Sequence, residues 1–482
     1  NPYEHKDMSR VKSDVLTMGD LRSQPLLRAV LGGLLAGLAP GVVGPLSMLP
    51  ALALLWSLVE RPRDAALWGL LAVLLSHRWL LGLHPLTWMG LPAWLSLPVA
   101  VVIWLSCGVA AALLLLLWAL LARLCRRRDG TWRFGAVLLL ALVWGAAELL
   151  LEGSPLFWIG VGGSVLPLDR PLAGLGRWLG SGGLATLQLL WGWGLWQLWR
   201  RRGRRCAGWL ISLLLAHAVG ALSLSPPPAF AALRLGAWQP AIPTREKFSP
   251  ERQRRFQSAL SSALQQAQAL KVEALVAPEG TLPFRWQADE DPLPVPLISG
   301  GFRWVRGQQR SSVLLARPDR AGVEPLVDKH RLVPLGEWLP PLPAGLTRGL
   351  SAVGGLQPGD ASRFVNAWPS PFAVAICYEI SDGRALAKAT AQGAEWLLTI
   401  ANLDPYPQLL QRQFLALAQL RAIETGRDVL SVANTGPTAL VSADGTVQRL
   451  LEPQTDAVAA AELQRRQQLT GYSRLVWAWS SR

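Results

Sequence analysis

From 97 to 122 the chain runs without a single Asp, Glu, Lys, Arg or His, Cys107 being its only ionisable side chain. A stretch of about 18 or more such residues is long enough to cross a bilayer as a helix, and it has no polar face with which to sit on a soluble core. Part of this chain is therefore expected inside a membrane. Weaker apolar stretches of the same kind lie at 26–45, 46–59, 65–83, 134–151, 184–199 and 207–224. Together they predict a multi-pass α-helical domain of about seven spans over 26–224.

Composition agrees: half of the 482 residues are hydrophobic (51%) and only 16% are charged, against about 25% charged in an ordinary soluble protein. Residues 1–224 hold 20 Lys+Arg against 10 Asp+Glu, and the remainder 27 against 22. Most of the net +15 thus belongs to the more apolar part, in bursts between apolar runs. That pattern marks cytoplasmic loops, not a nucleic-acid surface, so no nucleic-acid partner is expected. With the N-terminus inside, Arg61 and Arg63, the cluster Arg123, Arg126, Arg127, Arg128 and the cluster Arg200, Arg201, Arg202, Arg204, Arg205 all fall inside. Seven spans then place everything after Leu224 outside the cytoplasm.

The polar tail 1–25 lacks the apolar core of a signal peptide. Gly33-Leu-Leu-Ala-Gly37 and Gly37-Leu-Ala-Pro-Gly41 have small-residue spacing suited to close helix contact. Glu148, His77 and Arg78 are ionisable groups at or near membrane depth, where either snorkelling to the interface or function accounts for them. The Gly-rich loop 152–183, with Pro155, Phe157 and Trp158, reads as an aromatic belt or as a loop re-entering the membrane surface.

At Ser225-Pro226-Pro227-Pro228 the composition changes, and 225–482 suffices for one globular domain. Short apolar or β-branched runs predict strands at 233–238, 274–277, 297–304, 312–316, 372–377, 396–400, 429–432 and 438–441. Helical patterns occupy 249–270, 383–392 and 408–425. The alternation is that of an α/β domain.

Of the four cysteines only Cys377 lies in this domain, with no disulfide partner there. A lone strand Cys is ordinarily a small core residue. Cys377, however, ends Phe372-Ala-Val-Ala-Ile-Cys377 and leads through Tyr378-Glu379 into a helix, an elbow able to hold a nucleophile above a sheet. Two other strand ends carry charge: Pro278-Glu279-Gly280, and Asp328-Lys329-His330-Arg331, which runs on to Glu337-Trp338. Glu279 is placed to deprotonate a thiol and Lys329 to stabilise a thiolate or oxyanion. Either also reads as a surface or structural charge, and His330 is the one histidine available to a Cys-His pair. No metal, nucleotide or phosphate motif is visible, so no metal and no cofactor are expected.

The ordered set Pro278-Glu279, Lys329 and Ile376-Cys377-Tyr378-Glu379 resembles the nitrilase, or carbon–nitrogen hydrolase, superfamily, with its Glu-Lys-Cys triad on an αββα sandwich. Asp328-Lys-His-Arg-Leu-Val-Pro-Leu-Gly-Glu-Trp338, Ile376-Cys-Tyr-Glu-Ile380, Gln419-Leu-Arg421-Ala-Ile-Glu424-Thr-Gly426-Arg427 and Asn434-Thr-Gly436 narrow the resemblance to its membrane-embedded apolipoprotein N-acyltransferases. The resemblance implies Cys377 as nucleophile, Glu279 as base and Lys329 at the oxyanion. It gives supporting or substrate-side places to Glu337, Tyr378, Glu379, Asn402, Phe248 and Trp158. It also implies a phospholipid acyl donor, typically phosphatidylethanolamine, a diacylated apolipoprotein acceptor, and residence in a bacterial inner membrane with the catalytic domain on the periplasmic side.

The sequence departs from the family at several points. A usual Ser-Asn-Asp-x-Trp reads Ala401-Asn402-Leu403-Asp404-Pro405-Tyr406, Phe248 stands where a mobile-arm Trp is usual, and Pro155-Leu-Phe157-Trp158 replaces a Pro-Trp pair. No eighth span precedes Arg482, which implies an external C-terminus. Two competing expectations are a membrane-tethered amidase that passes its acyl group to water and a non-catalytic scaffold or transporter.

Overall fold

The computed structural model describes residues 24–89, 91–126, 132–154, 157–200, 206–244, 246, 250–283, 286, 293–320, 322–334, 336–338, 355–404 and 406–480. The tail assigned to 1–25 lies almost wholly outside these residues, as does Phe248.

Each apolar stretch of the first region forms a helix: α1 (Pro25–Leu38), α2 (Pro45–Ser57), α3 (Pro62–Ser76), α4 (Ala93–Cys125), α5 (Phe134–Glu152), α6 (Gly176–Arg200) and α7 (Cys206–Ser223). Pro25, Pro45 and Pro62 open the first three, where a missing N–H costs nothing and the fixed φ suits the helix. Among the described residues three segments, Pro25–Val43, Ala93–Cys125 and Phe134–Glu152, are long and apolar enough to cross a membrane. This is coarser than the seven spans expected. α2 and α3 are short of a full crossing at 13 and 15 residues, and α3 tightens after Ser76 into a 3-10 turn, Arg78–Leu83. α6 is broken at Gly180, whose φ is +64°.

The second region begins on β1 (Ala229–Gln239) and α8 (Pro250–Ala269), followed by β2 (Ala274–Ala277), β3 (Leu297–Val305), β4 (Gln308–Ala316), β5 (Glu324–Asp328), β6 (Phe364–Val365) and β7 (Phe372–Ile376). Then come α9 (Gly383–Ala391), β8 (Trp396–Ala401), α10 (Gln408–Thr425), β9 (Val429–Ala433), β10 (Thr438–Val441), β11 (Val447–Leu451), β12 (Ala457–Arg466) and α11 (Gly471–Ser480). Two six-stranded sheets result, ordered β12-β1-β2-β3-β4-β5 and β11-β10-β9-β8-β7-β6.

β7, β8 and β9 are mutually parallel and buried at every position, which is why they read as apolar runs broken only by Thr399 and Ser431. Leu235, Val276, Ile298 and Val313 of the first sheet share one core with Val374, Leu398 and Val432 of the second, so the sheets pack face to face. α8 covers the outer face of the first sheet through Phe256, Leu260 and Leu264. α9 and α10 cover the second, completing a four-layer αββα sandwich.

α10 joins the two regions. It is buried nearly all round, with the sheet on one side and α6 and the Pro40 turn on the other, and Gly426 ends it in the left-handed conformation. Val165, Leu166 and Leu172 of the 152–183 loop pack on its Leu420 and Ile423. That loop is thus a packed wedge between helices and sandwich.

Candidate functional site

Glu279 sits in the turn after β2, Lys329 follows β5 and Cys377 follows β7. The turn carrying Glu279 passes directly over β3. A Cβ added to Gly300 would lie 2.5 Å from Glu279 Cα and 2.6 Å from the Pro278 carbonyl, so only glycine admits this approach. The strand expected to end on Cys377 ends instead at Ile376. Cys377 has φ +55° and opens a 3-10 turn, Cys377–Ser381. A non-glycine residue in that conformation is held by its surroundings, and here Glu379 does much of the holding.

Lys329 is wholly buried, and its Nζ donates to Glu279 Oε1 and Glu337 Oε1 at 2.7 Å each. The other oxygen of Glu279 accepts from the Asn402 backbone N–H at 3.2 Å, and that of Glu337 from the Val333 N–H at 2.9 Å. Burial works against the Lys329 charge, but the two carboxylates outweigh it and hold the ammonium well above its ordinary pKa. Burial and the negative Glu279 push the Cys377 thiol well above the usual range in spite of Lys329. At neutral pH Cys377 therefore rests as a thiol.

Glu379 braces the site. Its carboxylate accepts from the backbone N–H of Ile376 (2.9 Å), His330 (2.8 Å) and Arg331 (3.0 Å), and pairs with buried Arg363 at 3.0 Å. One side chain thereby ties the strand end before Cys377 to the segment after Lys329. Tyr378 donates its hydroxyl to the Leu332 carbonyl at 2.6 Å, fixing the same two segments together. Asn402 supports Glu279 from below: its amide donates to Thr244 Oγ1 (3.0 Å), and its carbonyl accepts from Asn434 (2.8 Å), which also grips both backbone groups of Ile242. His330 turns its Nδ1 to the Gly359 carbonyl at 2.8 Å, so a Cys-His pair is not formed.

Several residues here were not legible beforehand. Arg363 gave no sequence signal. Tyr406 was noted only as a departure, yet burial and the neighbouring Cys377 both push its phenol upward. Its ring lies 5.6 Å from Trp79, which is 6.0 Å from Phe157. Trp79 belongs to an apolar cluster that includes Ile103 and Trp104 of α4, so an apolar wall runs from Cys377 to a membrane-length helix.

Trp158 lines an apolar cavity of about 300 Å³ among α1, α3, α4 and α5, and among the described residues its indole N–H has no partner. Glu148 is not snorkelling: it is 2% exposed and accepts from Trp144 Nε1 (2.9 Å) and the N–H groups of Val161 (2.6 Å) and Gly162 (3.0 Å). His77 reaches the Phe157 carbonyl at 3.1 Å, so both groups anchor the wedge loop.

Comparison with known proteins agrees with this geometry. Residues 309–470, which contain Lys329 and Cys377, match the carbon-nitrogen hydrolase family. The Apolipoprotein N-acyltransferase of Parasynechococcus marenigrum (strain WH8102) is 98% identical over 96% of this chain and 100% of its own. Proteins of the same name from Prochlorococcus marinus (strain MIT 9313) and Thermosynechococcus vestitus (strain NIES-2133 / IAM M-273 / BP-1) are 58% and 33% identical, over 95% and 82% of this chain and 94% and 79% of theirs. The chain belongs to the apolipoprotein N-acyltransferase family, an acyltransferase built on a nitrilase-like sandwich beside apolar helices.

Proposed function

We propose that this chain transfers an acyl chain from a phospholipid, with phosphatidylethanolamine the preferred donor, to the N-terminal amine of an S-diacylglyceryl-cysteine lipoprotein through a thioester on Cys377. The observation that carries this reading is Lys329, buried between Glu279 and Glu337 at 2.7 Å each, with the next residue, His330, tied by its backbone N–H to Glu379 beside the Cys377 elbow.

In the first half-reaction Glu279 takes the thiol proton as Cys377 Sγ bonds to the ester carbonyl carbon, and Lys329 faces the negative charge that develops. Collapse breaks the ester C–O bond, and Glu279 returns the proton to the departing glycerol oxygen, giving a lysophospholipid. In the second half the lipoprotein amine attacks the thioester, its proton passes to Glu279, and the thiol is restored. A thioester stores the acyl group without an external energy source, so both substrates stay in the membrane.

The wall of Tyr406, Trp79 and Phe157 is a path by which an acyl chain reaches Cys377. Glu337 holds Lys329 in place, Tyr378 and Asn402 position backbone, and Phe248 and Trp158 contact substrate. The helical domain 26–224 spans a bacterial inner membrane seven times with its N-terminus inside, and the domain 225–482 works on the periplasmic side. The basic clusters between spans favour that orientation.

The test is mass spectrometry of the purified chain incubated with phosphatidylethanolamine alone. An acyl mass on the Cys377 peptide, released by hydroxylamine and passed to a diacylated lipopeptide, is the expected result. Decay to free fatty acid with acceptor present would replace transferase by hydrolase. No adduct would remove the nucleophile assignment.

A further inference from the structure

A second cavity, of about 450 Å³, opens between the start of α9, the end of α11 and the segments around Arg331 and Arg363. Neither Glu279, Lys329 nor Cys377 lines it. Its wall carries the cations Arg331, Arg363, Arg384 and Lys388 against two carboxylates, Glu379 and Asp382. Both carboxylates are already engaged. Glu379 is saturated by Arg363 and backbone N–H groups, and Asp382 caps α9 through the Ala385 N–H at 3.1 Å while standing 3.9 Å from Arg331. Among the described residues Arg384 and Lys388 have no ion-pair partner, and Nε of Arg384 has no hydrogen-bond acceptor. The same holds for Nε of Arg363, a side chain only 3% exposed.

Unsatisfied guanidinium donors in a cavity with surplus positive charge call for an anion with several oxygens. The cavity's other wall says where that anion comes from. Val476 and Trp479 of α11 face it, and α11 turns Leu475 (60%), Trp477 (42%) and Trp479 (71%) outward. Gly153, one residue beyond α5, lies on the rim. Exposed tryptophans next to clustered cations are the signature of a headgroup-level surface.

We propose that this cavity binds the phosphate-bearing headgroup of an anionic membrane lipid, at a site separate from that of the acyl donor. The proposal rests on the membrane topology given above, which puts Gly153 and α11 at the outer surface. Occupancy touches the reaction through Arg363, whose partner Glu379 holds both the Cys377 and the Lys329 segments.

Native mass spectrometry of the detergent-purified full chain, given phosphatidylglycerol or phosphatidylcholine, tests it. Phosphatidylglycerol is expected to remain bound at one per chain where phosphatidylcholine does not. The pair Arg384→Glu, Lys388→Glu should retain about tenfold less, each lost cation weakening the hold on an anionic lipid severalfold. The milder pair Arg384→Gln, Lys388→Gln, which introduces no buried negative charge, should lose less in the same direction. Thioester formation on Cys377 shows that either pair is folded. Retention equal to the parent in a folded pair overturns the site. Displacement of the lipid by millimolar inorganic phosphate as readily as by lysophosphatidylglycerol micelles would reassign the cavity to a free anion and overturn the lipid. Labelling of Lys388→Cys by an impermeant maleimide in sealed vesicles reads topology independently. Reaction only from the cytoplasmic face sinks the orientation whatever the lipid data, and reaction from outside with unchanged retention sinks the site alone.

Discussion

Two buried trios in this chain have the same makeup, one cation between two carboxylates. Glu279–Lys329–Glu337 stands beside Cys377, and Glu152–Arg421–Glu424 lies where α5 meets α10. In the first, the side chains of Glu279 and Glu337 are 11% and 17% exposed, whereas in the second all three are at 0%. The first keeps its carboxylates within reach of water and gives each second oxygen a backbone N–H. The second is sealed: Arg421 bonds Glu424 at 2.6 Å but stands 3.5 Å from Glu152, and Glu424 accepts from the Ser181 N–H at 2.8 Å. Arg421 also fills the space over Gly383, where no side chain would fit. A charged trio is therefore not in itself a catalytic sign; what matters is whether charge can change there without breaking the fold.

Removing each cation tests that difference most strongly. Lys329→Met should lower thioester formation by about 10³-fold, the scale of a lost oxyanion donor, and leave the melting temperature nearly unchanged. Arg421→Met should cost about 3–5 kcal/mol, because it strands sealed Glu152 and takes away the partner of Glu424. The protein that still folds should form thioester within a few-fold of the parent. Thermal unfolding and acyl-enzyme mass, measured on both, decide it; the reverse pattern would exchange the roles of the two trios.

Gly300→Ala sharpens the catalytic side. The new Cβ displaces the Glu279 turn without touching a charge, and a shift near 1 Å costs about 10²-fold in rate. Single-turnover acylation should fall by that order while lipid binding holds. Alkylation reports the thiol itself. Because Cys377 is raised well above the ordinary thiol range, its iodoacetamide rate should be slow at pH 7 and still climbing beyond pH 9, where an unperturbed thiol levels off. A plateau near the ordinary value would mean that Lys329 outweighs burial and Glu279.

The sealed trio has its own pH signature. Burial pushes Glu424 up to about 8 in spite of Arg421, with Glu152 adding to the rise. Since the folded state then holds a proton that the unfolded state releases from about pH 4.5 upward, stability is greatest at low pH and falls as pH rises to about 8. Glu424→Gln should flatten that slope in thermal melts, and an unchanged slope would place the titration elsewhere.

Legibility in the sequence divides along the same line. Glu279 and Cys377 were readable because each follows an apolar strand, whereas Lys329 follows the half-exposed Glu324–Asp328 and stood out only through the Asp328-Lys-His-Arg run; the parallel core strands β7 to β9 left little ambiguity. β12 escaped because Ala457-Val-Ala-Ala-Ala-Glu-Leu-Gln-Arg-Arg466 has helix-forming composition, and only pairing with β1 makes it a strand. β11 was missed although Asp444-Gly445 is a hairpin signal, the turn lying between two short strands. Arg363 and the Asn402–Asn434 link join separate elements of the sandwich, so their pairing appears only once it has closed, and the partners of Glu148 are backbone N–H groups of a loop whose path the sequence does not show. Arg421 and Glu424 pair locally, three residues apart on α10, and what the sequence hides is Glu152, brought to Arg421 from the end of α5.

Trp158 gives the smallest and most discriminating effect. Its neighbour Glu148 is fully engaged by Trp144, Val161 and Gly162, whereas the Trp158 N–H faces an apolar cavity unpaired. An orphan buried donor costs about 1–3 kcal/mol, so Trp158→Phe should leave stability unchanged or slightly raised. If the indole serves the donor lipid by meeting an ester carbonyl, the same change should raise KM for the phospholipid a few-fold and spare kcat, because a contact of that kind is made equally in ground and transition states. KM unchanged with a higher melting temperature would make Trp158 a packing residue and leave substrate recognition to the wall of Trp79, Phe157 and Tyr406. A fall in kcat would instead couple the wedge loop to the chemistry at Cys377.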